Sequence, residues 1–241
     1  MKLSLERIQQ LNYGFAETKN LIELSVIDFN ILLPRALPNN FLMPVMPQGL
    51  GITKRMQAAA AAIDQQYGFG VFKQLATHNS DIIRGVACYL VGLQNLTLQE
   101  KLQQITPLAN DPNPGVREWA WISLRPSVAH QLQEALILLN SWIGNESPYI
   151  RRYASEITRP RGVWCSHIKA LRLEPWLAIH LLEPLKSDPE RYVQLSVANW
   201  LNDASKDHPS WVIELCSTWQ QQSPSIATHK ICKRALRNQK I

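Results

Sequence analysis

Long apolar runs, paired cysteines and alternating β-branched stretches are all missing from this 241-residue sequence. Each absence removes a class of protein. Charge or proline interrupts every apolar stretch well short of the ~18–20 residues a membrane-spanning helix needs. The opening Met1-Lys2-Leu3-Ser4-Leu5-Glu6-Arg7 lacks the apolar core of a secretory leader, so a cytosolic protein is expected. Ten glycines and fifteen prolines are too few for a disordered or fibrous chain. The four cysteines, Cys88, Cys165, Cys216 and Cys232, form no C-x-x-C pair. His229 stands three residues before Cys232, but nothing nearby completes a ligand set, so buried thiols are expected and no metal or other cofactor. Without alternating β-branched runs, no sheet is expected.

What is present is apolar bulk and positive charge. A hydrophobic content of 46 % is ample for one or two folded domains. The net charge of +6 suggests a polyanionic partner, and its distribution says more. Arg151, Arg152, Arg159, Arg161, Lys169 and Arg172 face a single acid, Glu156, within 151–172, and the tail adds Lys230, Lys233, Arg234, Arg237 and Lys240 with no acid.

Organisation changes near residue 50. Residues 14–33 suit one or two helices, after which Pro34, Pro38, Pro44, Pro47 and the Asn39-Asn40 pair argue against long regular structure. This predicts an N-terminal segment, 1–50, packed on a repeat domain, 51–241. Residues 56–67, with a five-alanine run, resume as helix. A repeat follows, in which a polar turn precedes a small apolar anchor. The anchors Ile83, Val116, Ile150 and Val193 stand 33, 34 and 43 residues apart, and Ala87, Ala120, Ala154 and Val197 follow them by four. That spacing marks the buried stripe of a helix. A weaker fifth copy starts near Ile226. One helix pair cannot bury its own apolar face, so the pairs must stack. Tetratricopeptide and ankyrin signatures are absent, leaving an all-α, HEAT-like helical-repeat solenoid with a concave face as the predicted fold. The 43-residue step holds about ten extra residues around 158–167, with Pro160 and Gly162 ending a helix and two Arg, Trp164 and His167 in the insertion.

Counting from each anchor, Glu118 is at plus two, Glu156 at plus six and Asp203 at plus ten. Steps of four keep one helical face, so the acids fall on equivalent faces of three successive second helices, 116–124, 150–159 and 193–203, each displaced by roughly 5–6 Å. Arg152 shares the face of Glu156, and Arg125 falls near Glu118 and Trp121. Such acids are either ordinary surface ion pairs or functional groups inside a basic surface. Of the eight tryptophans, Trp142, Trp176, Trp211 and Trp219 fit helix packing; Trp119, Trp121 and Trp200 adjoin the acids; Trp164, in the insertion, is the one placed to touch nucleic acid.

The strings Val116-Arg117-Glu118-Trp119-Ala120-Trp121, Arg151-Arg152-Tyr153-Ala154-Ser155-Glu156, Thr158-Arg159-Pro160-Arg161-Gly162-Val163-Trp164, Ala198-Asn199-Trp200-Leu201-Asn202-Asp203 and Cys232-Lys233-Arg234-Ala235-Leu236 resemble the bacterial alkylpurine DNA glycosylases of the AlkC type, relatives of AlkD. The resemblance covers over half the chain. It implies a monomeric enzyme that wraps duplex DNA and removes N3- and N7-alkylated purines without a metal and without fully flipping the lesion. It also implies that Glu118, Glu156 and Asp203 stand near the scissile bond, with Arg152, Arg159 and Trp164 at the backbone and lesion. Arg161, Lys233 and Arg234 from the basic clusters, and Trp121 beside the first acid, complete the expected DNA-contacting set. A non-catalytic repeat scaffold and a DNA-binding module without chemistry are the alternatives. The scaffold would not need the Arg/Trp insertion, and the binding module has no use for the three acids.

Overall fold

The computed structural model describes residues 3–38, 41–42, 49–162 and 164–239. Every regular element among them is a helix: α1 (Leu5–Asn12), α2 (Leu21–Ser25), α3 (Phe29–Ala36), α4 (Ile52–Tyr67), α5 (Phe72–Ala76), α6 (Asp81–Leu93), α7 (Leu98–Ala109), α8 (Pro114–His130), α9 (Leu132–Leu139), α10 (Pro148–Ile157), α11 (Lys169–Leu173), α12 (Ile179–Leu182), α13 (Arg191–Ala204), α14 (Pro209–Gln222) and α15 (Ile226–Ala235). Short 3-10 turns at Gly68–Val71, Pro175–Ala178 and Glu183–Leu185 link some of them. None of these helices is long and apolar enough to cross a membrane. Internal contacts group the chain into two units, Met1–Leu124 and Arg125–Ile241, a division that falls inside α8.

The repeat is visible in burial. All four anchors and all four residues at plus four are buried, and of the eight only Ile150 keeps any exposure, 4 %. The residue after each anchor has a second duty. Arg84 donates to the carbonyls of His78 and Asn79, Arg117 to those of Asp111 and Pro112, and Arg151 to those of Asn145 and Glu146. Gln194 does the same for Asp188 and Pro189. In each repeat one long side chain therefore folds back six and five residues to satisfy turn carbonyls at the mouth of its helix, where few other donors reach. Arg84 also grips the Asp111 carboxylate through two nitrogens, at 2.7 and 3.1 Å, and Arg151 grips Asp188 at 2.7 and 3.0 Å. These are fork-on-carboxylate pairs that lock one turn to the next. Arg151, counted above with the basic cluster, is thus committed to structure.

In the first unit α6 lies tight against α8. A Cβ on Gly85 would come within 2.5 Å of the Trp119 ring, so only glycine allows this approach. The N-terminal segment docks on the same helix: Thr18 donates through its backbone N–H and hydroxyl to Asp81, and Glu17 accepts from Arg84 and Asn113. In the second unit α10, α13 and α15 pack successively side by side.

Several local expectations are corrected. Pro34 does not break structure, since α3 runs through it to Ala36, and α7 and α8 likewise contain Pro107 and Pro126. Packing outweighs the one lost backbone bond in each case. α8 consequently extends to His130, six residues beyond the expected end. The fifth copy does begin at Ile226, but that side chain is 76 % exposed and the buried stripe is Thr228, Ile231, Cys232 and Ala235. Trp176 is 44 % exposed, packing edge-on against His208 and Trp211 instead of entering the core. Trp119 and Trp200 are core. Asn39, Asn40, Pro44, Pro47, Val163 and Lys240 lie outside the described residues.

Candidate active site

Two of the three predicted acids meet. Glu156 sits on α10 and Asp203 on the adjacent α13, and the Arg159 guanidinium joins them. Arg159 Nη1 lies 2.6 Å from Glu156 Oε1, while Nη2 and Nε lie 2.7 and 2.9 Å from Asp203 Oδ2. The remaining oxygens are also engaged. Glu156 Oε2 accepts from Ser196 Oγ at 2.6 Å and faces Arg152 at 3.5 Å, and Asp203 Oδ1 is 3.1 Å from Lys206 Nζ. Ser196 in turn shares a hydrogen bond with Ser155. Exposure is only 3 % for Glu156 and 4 % for Asp203. Burial pushes the Glu156 pKa up, but the charges of Arg152 and Arg159 and the Ser196 hydroxyl outweigh it, and the net displacement is downward. The carboxylate therefore stays ionised despite its depth.

Arg152 is held from its other side by the Tyr192 ring, 4.3 Å from guanidinium carbon to centroid, with Tyr149 edge-on against Tyr192. Arg152 thus has a fixed position beside Glu156. The insertion after α10 is pinned by three arginines. Arg125 is buried and donates to the carbonyls of Ile157, Arg159 and Ser166, so it is an internal strut and not part of a basic surface. Arg161 and Arg172 both bind Asp207, at 2.6 and 2.9 Å. These contacts hold the Asp207 carboxyl at a pKa of about 2, through Arg172 first and Arg161 second. Within the loop, Ile168 N–H closes onto Pro160 O, and Gly162 has Cys165 so near that a Cβ would meet its carbonyl oxygen at 2.5 Å. The outcome is a tight loop that leaves Trp164 78 % exposed and His167 exposed on its rim.

Glu118 belongs to the first unit, part-exposed on α8, and accepts from Trp121 Nε1 at 2.8 Å. The sequence places Trp121 against DNA; with 3 % exposure its ring is core instead, and its indole N–H positions Glu118. Arg159 and Arg161, expected as contacts to DNA, are instead occupied by Glu156, Asp203 and Asp207 in this state. Lys233 and Arg234 are exposed on α15, the latter 3.3 Å from Asn199 Oδ1. Sequence reading misses Ser196, Lys206 and Asp207 as members of this region, and it places Arg125 near Glu118 and Trp121 without its bonds to the insertion. Ser196 and Lys206 carry a usable signal, since they stand seven before and three after Asp203 along the same stretch of chain. Among the described residues no three His, Cys, Asp or Glu side chains converge as metal ligands would.

Comparison with known proteins bears on this region. Residues 115–233 match the profile of a family described as DNA alkylation repair enzyme. The Bacillus subtilis (strain 168) uncharacterized protein YhaZ is 31 % identical over 165 residues, which cover 65 % of this chain and 45 % of that one. The Pseudomonas fluorescens alkylpurine DNA glycosylase AlkC, solved bound to DNA containing an abasic site analog, superposes with a TM-score of 0.64 at 26 % identity. That match covers 78 % of this chain and 52 % of that one. AlkD2 from Streptococcus mutans shares the fold, with a TM-score of 0.65 at 21 % identity over 84 % of this chain and 95 % of its own. The chain spans about half the length of YhaZ and of AlkC.

Proposed function

We propose, from the premise that residues 115–233 belong to the DNA alkylation repair enzyme family, that the chain is a monomeric DNA glycosylase. It removes cationic N3- and N7-alkylated purines from duplex DNA by hydrolysing the N-glycosidic bond, without full extrusion of the base. The observation that carries this reading is the Arg159 bridge, which holds two buried carboxylates together, with Arg152 and Lys206 on their remaining oxygens. A purely DNA-gripping surface has no use for buried acids near phosphates.

The chemistry follows from charge. A purine alkylated at N3 or N7 already carries a positive charge and leaves without a general acid. As its bond to the sugar lengthens, positive charge builds on the deoxyribose. A carboxylate beside that sugar lowers the barrier electrostatically and can orient the attacking water. All four oxygens of Glu156 and Asp203 are occupied by Arg159, Arg152, Ser196 and Lys206. Catalysis therefore requires duplex phosphates to draw some of these cations away, which uncovers the acids only when DNA is bound. Glu118 is positioned by Trp121 within the first unit, and in the second unit Trp164 offers its π face to the sugar or the cationic base.

Single-turnover release of N3-methyladenine and N7-methylguanine from methylated duplex DNA tests the reading. The parent should release them; Glu156→Gln and Asp203→Asn should each lose about 10²–10³ in rate, with duplex affinity kept or raised because a repulsive charge is gone. Tight binding by the parent without release would make the chain a DNA-binding module. Full rates in both variants would make the acids structural.

A further inference from the structure

A cleft of about 600 Å³ lies just beyond Asp203 along the chain, in the second unit. Lys169, Arg172 and Leu173 of α11 line one side, and Lys206, Asp207 and His208, between α13 and α14, line the other. Three cations meet one acid there, and that acid is already taken by Arg161 and Arg172. Lys169 and Lys206 are exposed, and Lys169 makes no ion pair among the described residues. The fourteen-residue helix α14 starts at Pro209, directly after His208, so its positive end opens at the same place. Arg172 O accepts from His208 Nε2 at 2.9 Å, which fixes the ring proton on that nitrogen and ties α11 to the mouth of α14.

We propose that this cleft binds the backbone phosphate flanking the lesion sugar, on the strand under repair. The inference rests on the reading of Asp203 as facing the deoxyribose. Asp203 stands one residue before the end of α13, and Asp207 follows four residues later in the turn that leads to α14, so the acid and the cleft are neighbours along the chain as a sugar and its own phosphates are along a strand. Lys206 connects the two places: its Nζ is 3.1 Å from Asp203 Oδ1, and the residue also lines the cleft. A phosphate in the cleft competes with Asp203 for that ammonium. When Lys206 turns to the phosphate, Oδ1 loses its partner and becomes available to the sugar. Binding of the backbone and exposure of the acid are then one event, and an empty site keeps its carboxylates covered.

The test uses duplex DNA with a tetrahydrofuran abasic analogue, in which one phosphate at a time is replaced by an uncharged methylphosphonate. For the parent, one linkage beside the analogue should cost about tenfold in affinity, the size of one charge-assisted hydrogen bond. Lys169→Gln and Lys206→Gln, both at exposed positions and checked by circular dichroism, should bind the unmodified duplex more weakly. Their penalty at that same linkage should shrink toward none, and the salt slope should fall by about 0.9, the increment for a single neutralised phosphate. A penalty undiminished in both variants, or no sensitive linkage at all, overturns the cleft assignment. Excision assayed on the same parent protein separates the two readings. Release with an indifferent cleft refutes the phosphate site alone; a sensitive linkage without release refutes the glycosylase and leaves the site.

Discussion

Replacing Arg159 by Met removes a cation that touches both buried acids while keeping most of the side chain's volume. Breaking a buried ion pair from one side costs about 3–5 kcal/mol, because the partner charge is left without compensation. Here Arg152 at 3.5 Å and Lys206 at 3.1 Å remain, as does the Ser196 hydroxyl, so the lower end applies, about 3 kcal/mol. With a urea dependence of roughly 2 kcal/mol per molar, the unfolding midpoint should fall by about 1.5 M. Tryptophan fluorescence reports it, since Trp200 packs directly beneath the site with its indole N–H on Thr158 O. The loss should depend on pH in a defined direction. In the parent the Glu156 pKa lies below its ordinary value, so its contribution is present above about pH 4.3 and fades as pH falls through the lower folded value. In Arg159→Met, burial acts with one cation fewer to oppose it, so Glu156 takes up a proton more readily in the folded state. The deficit should be largest near neutrality and narrow as pH falls below about 4.3 toward the lowered folded pKa of Glu156. Adding Glu156→Gln and Asp203→Asn should restore most of the loss. A single variant within 1 kcal/mol of the parent, a pH-independent deficit, or no recovery in the triple variant would refute the bridge as the element that holds α10 to α13.

Asp207→Asn releases the arginine clamp on the insertion and should cost about 1 kcal/mol near neutrality, after allowance for its partial exposure. Because the Asp207 pKa is lowered to about 2, the difference from the parent should narrow as pH falls from about 4 toward 2; a constant difference in urea titrations would contradict this. Trp121→Phe keeps a buried ring but removes the donor to Glu118, and should slow base release by about tenfold with duplex affinity unchanged. Release at the parent rate would take Trp121 out of any positioning role.

The repeat is legible in the sequence because burial leaves a period behind it. Anchors at 83, 116, 150 and 193 have to be apolar to stack, and each is buried where the spacing puts it. The helix ends are less legible at Pro34 and Pro126, where packing on both sides of a helix outweighs a single missing hydrogen bond. The fifth copy misleads for a related reason: its stripe passes through Thr228, a polar residue whose hydroxyl is satisfied by Lys186 O, and an apolar-only pattern passes over it.

The acids divide along the same line. Register alone puts Glu156 and Asp203 on matching faces, and the structure brings them to a shared guanidinium. What register does not supply is which of the surrounding arginines are spoken for. Arg84, Arg125 and Arg151 look in sequence like Arg152 and Arg159, yet they bind turn carbonyls and turn acids, because a stack of helices must satisfy the polar ends it buries. A basic total therefore overstates the charge free to meet DNA. Arg159 and Lys206 differ from the struts in one respect that matters for function: their side chains contact carboxylates and no turn carbonyl, and a phosphate can take a carboxylate's place. Arg125 and Arg151 hold backbone carbonyls in the turns, and pulling either away would strip those carbonyls of a donor with nothing gained in return. The cations around Glu156 and Asp203 that a phosphate can draw away are therefore the same ones that cover the proposed chemistry.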